Sequence, residues 1–481
     1  MPIEIPFLDF TVILFRVDEI NKLILLTFAV TGVLSFVYAS SQRRAGLFVA
    51  VAVHSIAGAM ALMAGDFISF LVFWELLTLS SYFIISLNRT PASLSASFRY
   101  ILIHMLGAAA FFLGLVVQFG ATGSMELQSA VPEASPYFLI AIAIKTVFIP
   151  LHFWLPDSYP HAPFRGSVFL SIFTTKVGVY ALAVVLGGGS LAYMGGLMAL
   201  FGVIGALRQR FSRRLLAYHI ISQIGYMVAA VGLSTDLGLV AGFMHVSNHV
   251  VYKALLFMVV GAVIYRVGSE DLFSLGGLAR KMPITFVCAV VAASAIAGVP
   301  LFSGYASKDL IKAAAGYTPL TYMLMAASVG TALSFAKLIF YTFIEKPRVD
   351  ISKVKEVPVC MLIPMVLLAS YSIFAGVQPN RILALLPDSP IHSFYSAASV
   401  LSGLFPPIVG VLVFIVAGDL IRPFSRGDGP LRAQFIMVRS FTEKASGLLA
   451  RTHPGDIQIY IIAVLVTFLV ITIVTTVSLF H

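Results

Sequence analysis

Cysteine is nearly absent: Cys288 and Cys360 are the only two in 481 residues. Both fall in apolar stretches without a CxxC partner, which argues against a disulfide framework, an iron–sulfur cluster in this chain or a structural zinc. Charge is scarce as well, at 11% of residues, against 59% apolar residues and a mean hydropathy of +0.98. A soluble core of any size is never so poor in charge, so the chain is a polytopic protein of the lipid bilayer. A GxGxxG fingerprint, a P-loop and a haem-ligation pattern are also missing, and this places redox and nucleotide-hydrolysing chemistry outside the chain. The first residues, MPIEIPFLDFTVILF, lack a basic start and a small-residue cleavage site, so no removable signal peptide is expected.

The net charge of +10 does not signal nucleic acid. Its basic residues come in short clusters between apolar runs, the pattern that cytoplasmic-loop bias produces. Apolar runs of about 17 to 25 residues predict an all-α polytopic membrane protein of about 14 transmembrane helices. They centre near residues 30, 56, 77, 109, 145, 176, 198, 223, 252, 300, 331, 368, 412 and 469. The odd-numbered connections between them hold 22 lysines and arginines, among them Arg43 and Arg99, whereas the even-numbered ones hold two, Lys312 and Arg381. Odd connections are therefore expected in the cytoplasm and both termini outside, in a cytoplasmic or inner membrane.

Two spans mix proline and glycine with polar residues: AIAIKTVFIPLHFWLP and ASAIAGVPLFSGYASKDLI. Broken helices five spans apart point to two inverted five-helix repeats with an ion path at the breaks, although proline kinks in an ordinary bundle give the same strings. The division that follows is an N-terminal span at 1–45 and half-channels at 46–187 and 188–344. Further spans occupy 345–421, an amphipathic cytoplasmic lateral segment 422–456, and a last span 457–481.

Five lysines, Lys145, Lys176, Lys253, Lys308 and Lys337, lie within these runs. A charge at bilayer depth costs roughly 2.5 to 3.5 kcal/mol on insertion scales, so it is kept where it faces a protein interior and works. Glu75, in FISFLVFWELLTLSSYFII, stands nine residues from the preceding charge and needs a cation, for which Lys145 is the candidate. A buried pair whose two protonation states lie close in energy exchanges its proton when a neighbouring charge moves; a static salt bridge is the alternative. His245, His249 and Lys253 recur every four residues and share one helix stripe, a relay that can give and take protons. Zinc is the other use of such histidines, but no acidic or thiol ligand accompanies them. Lys308 and Asp309 follow the second break. Lys337 lies near enough to its helix end to snorkel, and His219 either orders water or bonds between helices.

The strings WELLTLSSY, KTVFIPLHFWLPDS, SIFTTKVGVY, YHIISQIGYM, HVSNHVVYKALLF and AGVPLFSGYASKDLI occur in an order that resembles the antiporter-like subunits of respiratory complex I, Mrp-type sodium/proton antiporters and energy-converting membrane hydrogenases. The resemblance covers residues 17 to 380 and implies a half-channel in each repeat. It makes Glu75 and Lys145 the gate pair, Lys176 the connector, His245, His249 and Lys253 the central relay, and Lys308 a terminal lysine of the lysine-bearing type. It also implies other membrane subunits as partners, with any iron–sulfur clusters in a peripheral redox arm and no cofactor in this chain. In the family the WE motif follows about four spans and here it follows two, so the first two helices of the pattern are missing from this sequence. The function expected is a proton- or sodium-translocating subunit; a stand-alone solute transporter and a structural spacer are the alternatives.

Overall fold

A bilayer offers backbone groups no partner outside their own segment, so apolar runs fold as helices. The computed structural model describes residues 3–7, 10–41, 44–387, 389 and 391–424. Among these, ten helices are long and apolar enough to cross a membrane, and three shorter apolar helices accompany them. An antiparallel hairpin, β1 (Ile3–Phe7) and β2 (Phe10–Phe15), opens the chain. There follow α1 (Glu19–Ala39), α2 (Ala45–Met63), α3 (Phe67–Ser86), α4 (Pro91–Thr122), α5 (Ser135–Lys145), α6 (Trp154–Ser158), α7 (Phe164–Ile172) and α8 (Thr174–Leu186). The remainder is α9 (Ala192–Leu207), α10 (Ser212–Val231), α11 (Asp236–Val267), α12 (Pro283–Ala297), α13 (Ser303–Ala315), α14 (Pro319–Ile339), α15 (Val359–Val377), α16 (Pro379–Leu383) and α17 (Ala397–Phe424).

Each expected centre from residue 30 to residue 412 falls in a helix or at an interruption between two. The expected segments beyond 424, namely most of the lateral stretch 422–456 and the last span 457–481, lie outside the described residues, as does Arg43. The first stretch differs from expectation, because residues 1–45 hold the hairpin as well as α1. Asp66 fastens the hairpin: one carboxylate oxygen caps α3 at the Ser69 N–H, 2.8 Å, and the other accepts from the Ile13 N–H, 2.7 Å. Arg99, counted above in a connection, sits inside α4 and forks onto Asp157 of α6 at 2.8 and 2.9 Å.

The two longest helices are built alike. Both α4 and α11 have 32 residues, start at a threonine whose hydroxyl caps the first turn (Thr90, Thr235) and end at a left-handed glycine (Gly123, Gly268). Such ends satisfy backbone groups that a helix leaves open. Isolated antiparallel bridges join Asp66 to Glu126 and Phe211 to Asp271, so one offset of 145 residues carries α3–α4 onto α10–α11. Arg210 forks onto Asp271 beside the second bridge, and that carboxylate holds the guanidinium further toward its charged form.

Three helices stop inside the apolar layer. α5 ends at Lys145, Val147 takes φ +56°, and the Trp154 indole N–H donates to the freed Ile144 carbonyl at 2.9 Å. α12 ends at Gly298 with φ +84°, Leu301 takes φ +75°, and α13 resumes at Ser303. A milder interruption at Phe173 separates α7 from α8. The core gathers on α10 and α11: α11 packs against α1, α7, α10, α12, α13 and α15. Glycine lets α9 approach α10, since a Cβ on Gly195 or Gly202 would lie 2.2 or 2.4 Å from α10 backbone nitrogens.

Candidate functional site

Each broken or interrupted helix leaves carbonyl groups without an intrahelical partner, and buried carbonyls attract cations. The lysines answer this. Lys308 Nζ donates to Ile296 O at the end of α12, 2.8 Å, and to Ser328 Oγ, 3.4 Å, beneath the Tyr226 ring at 4.7 Å. Lys176 Nζ donates to Ser171 O at the end of α7. Lys337 Nζ donates to Leu207 O, at the end of α9, and to Gln209 O just past it, both at 2.8 Å. Lys337 is fully buried, which rules out snorkelling.

Lys145 behaves differently. With Ile144 O already taken by Trp154, its ammonium crosses to α3 and donates to Thr78 Oγ1 at 2.7 Å and Trp74 O at 3.4 Å, 4.5 Å from the Trp74 ring centre. These anchors bracket Glu75 by sequence. The two groups interact electrostatically, yet no ion pair joins them, and Glu75 Oε1 is buried without a hydrogen-bond partner among the described residues. The stem of Lys145 also meets α8 near Lys176, where a Cβ on Gly178 would come within 3.2 Å of Lys145 Cβ.

On α11, His245, His249 and Lys253 are all fully buried. His245 Nδ1 bonds Ser307 Oγ of α13 at 2.8 Å, and its ring lies 6.5 Å from that of His249. Both His249 nitrogens and Lys253 Nζ lack a hydrogen-bond partner among the described residues. His249 is the electrostatic node, within reach of Lys176, Lys253, His245 and Lys308. His219 pairs with Ser334 on α14 and is within reach of Lys253, Lys308 and Lys337. Asp309 turns away from Lys308: its oxygens meet Lys312 Nζ at 3.3 Å and His392 Nε2 at 3.1 Å.

Sequence reasoning missed several members of this line. His54 and His104 both lie within electrostatic reach of Lys145. His54 bonds Ser80 Oγ at 3.1 Å, and His104 stacks on Tyr100 with ring centres 4.0 Å apart. His152, buried against Phe201, carries two nitrogens without partners among the described residues. A usable signal existed for His104, because the offset of 145 residues that relates α4 to α11 places it on His249. His392 had no such signal. Among the described residues no group of three or more histidines, cysteines or carboxylates gathers as metal ligands.

The arrangement can therefore hold and pass charge: buried cations and imidazoles extend from Glu75 on α3 to Asp309 on α13. Known proteins resemble the chain in sequence and fold. The chain is 28% identical over 393 residues to a Na(+)/H(+) antiporter subunit from Alkalihalophilus pseudofirmus, covering 75% of this chain and 79% of that one. It is 27% identical over 430 residues to hydrogenase-4 component B of Escherichia coli, covering 78% and 64%. Among solved structures, the Mrp complex from Dietzia sp. DQ12-45-1b contains a chain of the same fold, with TM-score 0.71, 24% identity and coverage of 85% and 86%. The membrane-bound sulfane sulfur reductase, an archaeal respiratory membrane complex, contains one with TM-score 0.78, 25% identity and coverage of 98% and 91%. These relatives are subunits of multi-subunit membrane complexes. The family model for the transmembrane part of NADH:quinone oxidoreductases and Mrp antiporters matches residues 64–334, more than half of the chain, and the protein is thus a multi-pass membrane member of that antiporter-like family.

Proposed function

We propose that this chain is the ion-translocating subunit of a multi-subunit respiratory or antiporter complex, and that it carries protons, with or without exchange for sodium, along the buried line described above. The observation that carries the reading is the succession Glu75, Lys145, Lys176, Lys253, His249 and Lys308 on α3, α5, α8, α11 and α13, in which Glu75 Oε1, Lys253 Nζ and both His249 nitrogens lack a hydrogen-bond partner among the described residues. Buried polar atoms of this kind take ordered water as partner, and water between titratable side chains is what proton passage requires. In this reading Glu75 and Lys145 form the gate, Lys176 connects the halves, His245, His249 and Lys253 relay, and Lys308 with Asp309 delivers. His219 and Lys337 are accessory.

The matching bridges and lengths of α3–α4 and α10–α11, with the matching caps of α4 and α11, support two inverted repeats, within fourteen crossings in all. The positive-inside count supports cytoplasmic odd connections, outer termini and a cell membrane. Redox centres, including iron–sulfur clusters where the complex has them, belong to partner subunits. The test is ion flux in proteoliposomes of the purified complex. Glu75→Gln and Lys145→Ala should each abolish coupled transport while the subunit stays assembled; retained pumping in both overturns the gate.

A further inference from the structure

Beyond Lys308, Asp309 joins a group of side chains that the reading above does not otherwise use. Asp309 lies between Lys312, one helical turn further along α13, and His392, which belongs to the strap 391–396 ahead of α17. Lys312 Nζ in turn donates to Ser402 Oγ of α17 at 2.8 Å. A cavity of about 20 Å³, room for one water, is lined by Tyr226, Lys308, Asp309, Lys312, Ser328 and Ser402. Side-chain exposure rises outward along this group, from 7% at Asp309 to 23% at His392. The strap is held in place: Asn380 Nδ2 donates to His392 O at 3.1 Å, and Tyr305 and Tyr395 donate their hydroxyl protons to Phe394 O and Gly376 O. His392 and Ser402 both lie beyond the residues 64–334 that match the family.

We propose that His392 is the outermost proton-transfer residue of the second half, taking protons from Asp309 and exchanging them with the outer solution; this rests on the translocation reading and deepens it. A proton leaves the Lys308 ammonium, crosses the cavity through one water and forms the O–H of Asp309, loosening the pairing with Lys312. That O–H then breaks as Nε2 of the Nδ1–H form of His392 takes the proton, the ring releases its Nδ1 proton to the outside, and proton exchange with the outer solution restores the Nδ1–H form; each step returns in reverse for uptake. The titratable groups facing this exchange are Tyr305, Lys308 and Lys312 of α13, Tyr226 of α10 and Tyr395 of the strap. α16 carries Arg381, which is exposed.

The experiment is coupled transport by the purified complex in proteoliposomes, with outer pH varied over about 5 to 8. His392→Gln keeps a hydrogen-bond donor for Asp309 but cannot titrate. It should assemble, slow transport by roughly 10²-fold and flatten its dependence on outer pH. External imidazole should restore His392→Gly. A His392→Gln profile superimposable on the wild type overturns the proposal, and so does slow transport with an unchanged pH profile and no rescue, which marks a strap residue only. Absence of transport by the wild-type complex under its driving force would instead overturn the translocation reading.

Discussion

The two broken helices solve the same backbone problem in opposite ways. At the first break the Trp154 indole caps Ile144 O, which leaves Lys145 free to reach across to α3 beside Glu75. At the second break Lys308 caps Ile296 O itself and its neighbouring carboxylate is engaged elsewhere. A lysine held by another helix beside a carboxylate can respond when that charge changes; one held by a fixed helix-end dipole holds its place. In the proposed reading this difference suits the first half to switching and the second to delivery.

One test separates two histidines that the offset of 145 residues places on one another. His249→Ala should lower proton passage by roughly 10²-fold, since its ring alone reaches four charged or titratable partners. His104→Ala, whose ring reaches Lys145, should lower it less. Equal losses, measured as flux in proteoliposomes, would make the halves functionally equivalent and break the comparison.

Next come the lysines themselves. Lys308→Met should remove transport and also destabilise the subunit by about 1 to 3 kcal/mol, the cost of a buried carbonyl left without a donor. Lys145→Met should remove transport with a smaller change in stability, because Trp74 O keeps the Thr78 hydroxyl, 3.1 Å away. Thermal unfolding in detergent reads the difference, and the same shift for both variants would show that Lys145 is structural too. Trp154→Phe sharpens the point. It leaves Ile144 O only the longer contact from the Val147 N–H, 3.3 Å, so Lys145 should turn back to it, with a stability loss near 1 kcal/mol and reduced transport although no charge has been touched. Unchanged transport in Trp154→Phe would remove the indole from the account. The smallest effects are those of the matched caps: Thr90→Ala and Thr235→Ala should each cost about 1 kcal/mol. Clearly unequal melting shifts would mean that the two long helices do not carry equal loads.

Much of the site was legible in the sequence because charge at bilayer depth is conspicuous: all five lysines, Glu75 and the α11 histidines stand in the apolar runs that reveal them. His54 and His152 were harder to see, since neutral imidazoles occur in apolar helices without function and only proximity to Lys145 or a lack of partners marks them. The breaks were visible from their proline and glycine, whereas the hairpin at Ile3–Phe7 and Phe10–Phe15 was hidden within an apolar stretch that also suits a span.

By itself the sequence determined that this is a membrane-embedded helical chain, where its helices run and which side chains carry charge into them, because hydropathy and helix punctuation are local properties. Tertiary structure decided what those charges touch. Lys337 is buried on the carbonyls at the end of α9, Lys145 is anchored on either side of Glu75 without an ion pair, and Asp309 meets His392, 83 residues away. A buried cation takes whichever carbonyl or carboxylate packing brings within about 3 Å, and no local pattern records which helix end or distant strap that will be.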